Sequence, residues 1–221
     1  AGGPAAFALA RLPGGAIVPA ADIPAALHPL LARLTAVPPA WAGLPSGRPL
    51  VMGVLNVTPD SFSDGGVHFD TASAIAAGLA MAEAGAVLVE VGGETTRPHA
   101  EPTPPAEERR RILPVIRALA ASGVAVSVDT RHAATMAAAL EAGARVVNDV
   151  SALAHDPDSA GVVAQAGCPV VLMHMRGTPA TMHEHAHYAD VALEVTQELA
   201  ARVAAAEAAG RVSSAPTGTA V

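Results

Sequence analysis

The chain has 221 residues, 51% of them hydrophobic and 2% aromatic, with a formal net charge of −7. That length fits a domain with a sizeable core, which must be built from Ala, Val, Leu and Ile. The acidic balance argues against nucleic acid or an anionic membrane as the main partner, and no stretch holds the roughly 18 uninterrupted apolar residues of a membrane span.

The single cysteine, Cys168, leaves no intrachain disulfide framework and fits a cytoplasmic location. The chain opens on Ala1, as a processed, tagged or incomplete start would. Residues 1–48 are rich in Ala, Pro and Gly and read as an N-terminal extension packed on a barrel end. Its apolar run at 7–21 is broken by Pro13, Gly14, Gly15 and Pro19, so it does not read as a signal peptide. A short helix is predicted over 23–34, with Leu27, Leu30, Leu31 and Leu34 on one face and Pro38 and Pro39 beyond it.

From residue 49 a rhythm of strands and Ala-rich helices begins and runs to 210. Strands are predicted at 50–55, 87–91, 124–128, 145–150 and 169–173. Each is a nearly continuous apolar run, the pattern of strands buried on both faces of a parallel sheet. Helices are predicted between them, capped by Asp70, by Thr103 ahead of Pro104, by Thr130, and by Asp156 ahead of Pro157. Gly85, Gly123, Gly143 and Gly167 close these four helices. A fifth helix runs from 190 to 209, followed at 211–221 by an irregular Ser/Thr/Gly/Pro tail. Strand-helix alternation predicts a parallel α/β fold. Polar residues at the end of every strand favour a TIM-type (β/α)8 barrel, incomplete at about five βα units, over a doubly wound sheet.

Those strand ends carry the chemistry. Asn56 opens the string Asn-Val-Thr-Pro-Asp-Ser-Phe-Ser-Asp-Gly-Gly, a polar loop with Asp60, Asp64 and one aromatic, Phe62. Residues 90–98 read Glu-Val-Gly-Gly-Glu-Thr-Thr-Arg-Pro. Its glycines admit a close ligand, and Thr96 and Arg97 suit a pyrophosphate. Asp129 and Asn148 end the next two strands as a carboxylate and an amide able to read a heterocycle edge. Met173 can pack on a flat ring or in a core. His183, His185 and His187 have a spacing that can converge on a metal, but no acidic or cysteine partner accompanies them, so they read as a solvated loop.

These strings, with Ser127-Val128-Asp129-Thr130, Asn148-Asp149-Val150 and Leu172-Met173-His174-Met175, resemble the dihydropteroate synthase family over residues 50–210. Glu90 stands where that family usually has Asp, and Thr95 where it has Ser. The resemblance implies a transferase of folate biosynthesis. Its substrates would be a dihydropterin pyrophosphate and 4-aminobenzoate, its products dihydropteroate and diphosphate, with Mg2+ as cofactor. It assigns Asn56 to the metal, Thr96, Asp129, Asn148 and Met173 to substrate, and Asp60, Asp64 and Arg97 to catalysis. A homodimer is an expected assembly. The family continues with Asp-Pro-Gly-x-Gly-Phe, Ser-Arg-Lys and Arg-x-His segments that this sequence lacks. Three readings of activity therefore stay open: an inactive or nearly inactive fragment, an enzyme completed by a partner chain or swapped dimer, and a pterin-binding module without catalysis.

Overall fold

The computed structural model describes residues 7–36, 40–45, 48–58, 70–95 and 102–210. They divide into two units between Pro49 and Leu50. In the first, β1 (Leu9–Arg11) and β2 (Ile17–Pro19) form an antiparallel hairpin. Gly14 and Gly15, at φ 95° and 91°, make its turn. The predicted helix over 23–34 starts later than its pattern suggests. A 3-10 turn at Ala25–Leu27 precedes α1 (His28–Thr35), and the side chain of His28 bonds back to the Ile23 carbonyl at 3.0 Å.

The second unit alternates β3 (Met52–Asn56), α2 (Thr71–Glu83), β4 (Leu88–Gly92), α3 (Pro105–Ala121), β5 (Val126–Asp129), α4 (Ala133–Glu141), β6 (Val146–Asp149), α5 (Ser159–Ala166), β7 (Val170–Leu172) and α6 (Val191–Ala208). All five strands are parallel, in the order β3-β4-β5-β6-β7. A doubly wound sheet reverses its strand order at a switch point. This sheet never reverses, so it is an arc of a (β/α)8 barrel.

Alternate strand residues face opposite sides. Leu55, Val91, Val128, Val147 and Val170 face the helices and share one core with Ile112, Val115, Ile116, Leu119 and Met136. Helix and sheet come close because Gly78 of α2 has no side chain. A Cβ there would lie 2.9 Å from the Leu119 methyls and 3.2 Å from Leu55. The expectation of strands buried on both faces fails at β3, whose Met52 and Val54 are 43% and 52% exposed. The reason is position: β3 is an edge of the described sheet, and no described strand stands across from its inward face.

The caps also correct the sequence reading. Asp70 caps α2, its carboxylate accepting from the Ala72 amide at 3.0 Å and the Ser73 amide at 3.2 Å, and Asp190 likewise caps α6. Thr103 does not cap α3. Pro104 holds that position without a side-chain bond, and Pro105 fills the first turn. Helix α4 has no side-chain cap from its own N-cap residue, His132. Its first amide, Ala133, instead donates to Asp156 Oδ2 at 2.9 Å, a carboxylate ahead of the next helix. Asp156 Oδ1 accepts from the Asp158 amide at 3.1 Å, and α5 begins at Ser159 with Asp158 as its N-cap residue.

After β6 the chain turns sharply through Ala152 and Leu153, at φ 52° and 59°. Asp149 holds this turn: Oδ1 accepts from the amide and hydroxyl of Ser151 at 2.7 Å each, and Oδ2 from the Leu153 amide at 3.0 Å. A left-handed residue bearing a Cβ costs roughly 1–2 kcal/mol, partly offset by the greater unfolded-state freedom of glycine. Ala152→Gly is therefore expected to raise the melting temperature by about 1–3 °C. Scanning calorimetry showing an unchanged or lower midpoint would count against strain at this turn.

Candidate functional site

The strand registers bring one row of residues to the C-terminal ends. Asn56 pairs with Gly92, Gly92 with Asp129, and Asp129 with Asn148. Paired residues of adjacent parallel strands point to the same side, so Asn56, Asp129 and Asn148 share the inward face. One layer below, Val54, Glu90 and Ser127 face the same way. Gly92 leaves a gap in the row. A Cβ there would sit 3.4 Å from Asp129 Oδ2 and 3.8 Å from Asn56 Oδ1, so both oxygens border the same small space. Beside it, Gly93 lets α3 approach: a Cβ would lie 2.7 Å from Ile112 and 3.1 Å from Glu108.

Carboxylates surround Asp129. Burial, then the charges of Glu90, Glu108, Asp149 and Glu94, push Asp129 up to about 7. Glu90 is also raised, by burial, against a hydrogen bond from Asn148 Nδ2 to its Oε1 at 3.0 Å that acts the other way.

Two buried networks stand behind the row. Arg131 donates to both oxygens of Glu94 at 2.8 and 2.9 Å, and Glu94 also accepts from the Thr103 amide at 3.3 Å. The Glu94 and Arg131 side chains are 5% and 10% exposed. The fully buried Glu108 accepts from Thr135 Oγ1 at 2.8 Å and lies 3.2 Å from His132 Nδ1, while its Oε1 has no hydrogen-bond partner among the described residues. The sequence reading missed both acids. Glu108 had a visible signal, since it shares the 108, 112, 115, 119 stripe with Ile112, Val115 and Leu119, an acid on an otherwise apolar helix face.

Next to the row lies a cavity of about 600 Å³, lined by Arg131, His155, Met173, His174 and Glu198 among others. Of the residues predicted from sequence to bind substrate, Met173 lines it, while Asp129 and Asn148 do not. A charged cluster adjoins it through His174 and Glu198. Glu198 accepts from His174 Nε2 at 2.7 Å and from Arg176, whose guanidinium also bonds Glu194 and lies 4.1 Å from the centre of the Tyr188 ring. His183, His185 and His187 are exposed. Among the described residues, no three His, Cys, Asp or Glu side chains are grouped as metal ligands. Asp60, Asp64, Thr96 and Arg97 lie outside the described residues. No described helix is long and apolar enough to cross a membrane.

Residues 52–214 match a family described as pterin binding enzyme. The chain is similar to the dihydropteroate synthase of Mycobacterium leprae (strain TN), with 52% identity over 161 residues, covering 72% of this chain and 57% of that protein. It is 43% identical over 164 residues to the dihydropteroate synthase of Escherichia coli (strain K12), covering 74% of this chain and 58% of that one. Among solved structures, Xanthomonas albilineans dihydropteroate synthase with 4-aminobenzoic acid superposes with a TM-score of 0.67 at 50% identity, covering 74% of this chain and 57% of its own. The same enzyme in complex with 7,8-dihydropteroate gives a TM-score of 0.63 at 47% identity, covering 74% and 56%. The chain therefore spans about 57% of the length of the M. leprae relative.

Proposed function

Since the chain belongs to the pterin binding enzyme family, we propose that its inward strand-end row binds a dihydropterin and forms part of a dihydropteroate synthase site. The observation that carries this reading is the register that lines up Asn56, Gly92, Asp129 and Asn148. A pterin edge offers N–H groups to acceptor side chains, and Asp129 and Asn148 supply such acceptors side by side. Met173, at the cavity, would cover the ring.

The reaction would join the amine of 4-aminobenzoate to the methylene carbon of a dihydropterin diphosphate. A C–N bond forms, the C–O bond to diphosphate breaks, and the amine loses a proton. This needs no protein nucleophile. The resemblance gives Thr96 and Arg97 the leaving diphosphate, and gives Asp60 and Asp64 a loop that excludes water. Magnesium is commonly held by one or two protein oxygens plus substrate phosphate oxygens. The Asn56 Oδ1 that borders the Gly92 gap, with Asp129 Oδ2 nearby, fits that donor set. Bound there, Mg2+ would neutralise charge on the leaving diphosphate. The lone Cys168, its thiol raised by burial, fits a cytoplasmic protein, and a homodimer belongs to the same reading.

A second reading keeps the pterin site and drops the chemistry: a pterin-binding module without turnover. Calorimetry with a dihydropterin diphosphate, followed by 4-aminobenzoate and a diphosphate-release assay, separates the two. Release supports the synthase, binding without release supports the module, and no binding at millimolar ligand removes both. Because an ionised Asp129 is the competent acceptor and it titrates near 7, pterin affinity is expected to rise about tenfold from pH 6 to pH 8. A flat profile across that range would take Asp129 out of the site.

A further inference from the structure

The inward face also decides which end of Asn148 a ligand meets. Asn148 Nδ2 donates to Glu90 Oε1 at 3.0 Å, from β6 to β4 across the intervening β5. On β5, Ser127 pairs with Glu90 and is 1% exposed, while Glu90 itself is 8% exposed. The bond thus forms a floor one layer beneath the strand-end row. An ionised carboxylate has no proton to give and can only accept. The amide must therefore turn its NH2 down to Glu90 and its Oδ1 away. That Oδ1 accepts no hydrogen bond from any described residue. Asp129 stands in register beside Asn148, roughly one strand spacing of about 4.8 Å away. When ionised it also offers only acceptor oxygens. From these two neighbours a ligand meets acceptor oxygens, and the second N–H of the Asn148 amide is the one donor left beside them.

We infer that Glu90 is a positioning residue that locks Asn148 as an acceptor, so that Asp129 and Asn148 select a heterocycle edge bearing adjacent N–H donors. This rests on the pterin reading above and deepens it. A 2-amino-4-oxopyrimidine ring has such an edge, with its exocyclic amine beside a ring N–H. The corresponding 2-oxo ring replaces the amine with a carbonyl. That carbonyl would face an acceptor, leaving both oxygens unpaired and repelling one another. Were Asn148 free to turn over, its NH2 would meet the carbonyl and the discrimination would vanish. The selectivity therefore depends on a side chain one layer away from the ligand.

Pterin and its 2-oxo analogue lumazine are the probes, each titrated at pH 7.5, above the value near 7 to which Asp129 is raised, into the parent chain, Glu90→Gln and Glu90→Met by calorimetry. The parent is expected to prefer pterin by at least about tenfold. Glu90→Gln, whose amide can pair with either end of Asn148, should reduce that ratio, and Glu90→Met should bring it to within about twofold of unity. A merely structural role for Glu90 would weaken both ligands together and leave the ratio where it was. That outcome, or a parent ratio below about twofold, overturns the inference while leaving the pterin reading standing. If the parent binds neither compound at millimolar concentration, the pterin reading falls and the inference with it. Should circular dichroism show Glu90→Met unfolded, the parent ratio and the near-isosteric Glu90→Gln still decide the matter.

Discussion

At pH 8, Asp129→Asn is expected to melt about 5–10 °C above the parent chain while losing at least tenfold in pterin affinity. The carboxyl of Asp129 is raised from an ordinary 3.8 to about 7 by burial and by the charges of Glu90, Glu108, Asp149 and Glu94. The folded chain therefore holds a proton that the unfolded chain gives up. Its stability contribution is whole below pH 3.8, declines as the pH rises, and is gone above about 7. Across that interval the loss is on the order of 2–4 kcal/mol. An asparagine has the same shape and no charge, so it escapes the loss. The gain should shrink by more than half at pH 5, where the parent is still largely protonated. Calorimetric melts at both pH values check this. A gain of the same size at pH 5 and pH 8 would mean that ionisation is not its source.

Arg131→Met should have the opposite effect, lowering stability by about 3–5 kcal/mol. Among the described residues, Glu94 would be left as a buried carboxylate with only the Thr103 amide, 3.3 Å away, as a hydrogen-bond donor. The double variant Glu94→Met, Arg131→Met removes both charges and is expected to recover most of the loss, since apolar residues of similar volume commonly replace a buried pair without penalty. Urea unfolding of the parent, the single variant and the double variant measures the difference. A double variant no more stable than Arg131→Met would show that packing, and not charge, is what Arg131 contributes. Glu94 follows the Gly92-Gly93 pair and Arg131 follows Asp129 by two residues, so the ion pair ties two strand ends of the row together.

Much of the arc was legible in the sequence, because parallel strands and their helices leave strong periodic marks. The apolar runs at 87–91, 124–128 and 145–150 mark β4, β5 and β6 to within a residue or two. Positive φ at Gly85, Gly123, Gly143 and Gly167 follows the expected helix stops. Asn56, Asp129 and Asn148 could be placed at strand ends from sequence, but their common row depends on register, which no local pattern records. What escaped was long-range. Asp156 reads locally as the cap of α5, and one oxygen does accept from the Asp158 amide, but the other serves α4, 23 residues away. Glu108 sits in a charged run, although its stripe with Ile112, Val115 and Leu119 marks the buried face, and it is fully buried. The hairpin at the start of the chain was hidden because each of its strands is only three residues long.

The borrowed cap of α4 bears on how this chain comes off a ribosome. When Ala133 emerges, the carboxylate that will hold its amide is 23 residues behind it. At ordinary elongation rates that is a wait of about one to five seconds. Until then the first turn of α4 frays against water. The arrival of Asp156 both finishes α4 and leads into α5. These two neighbouring units are thereby completed together, and at this joint the direction of synthesis becomes the direction in which the arc sets.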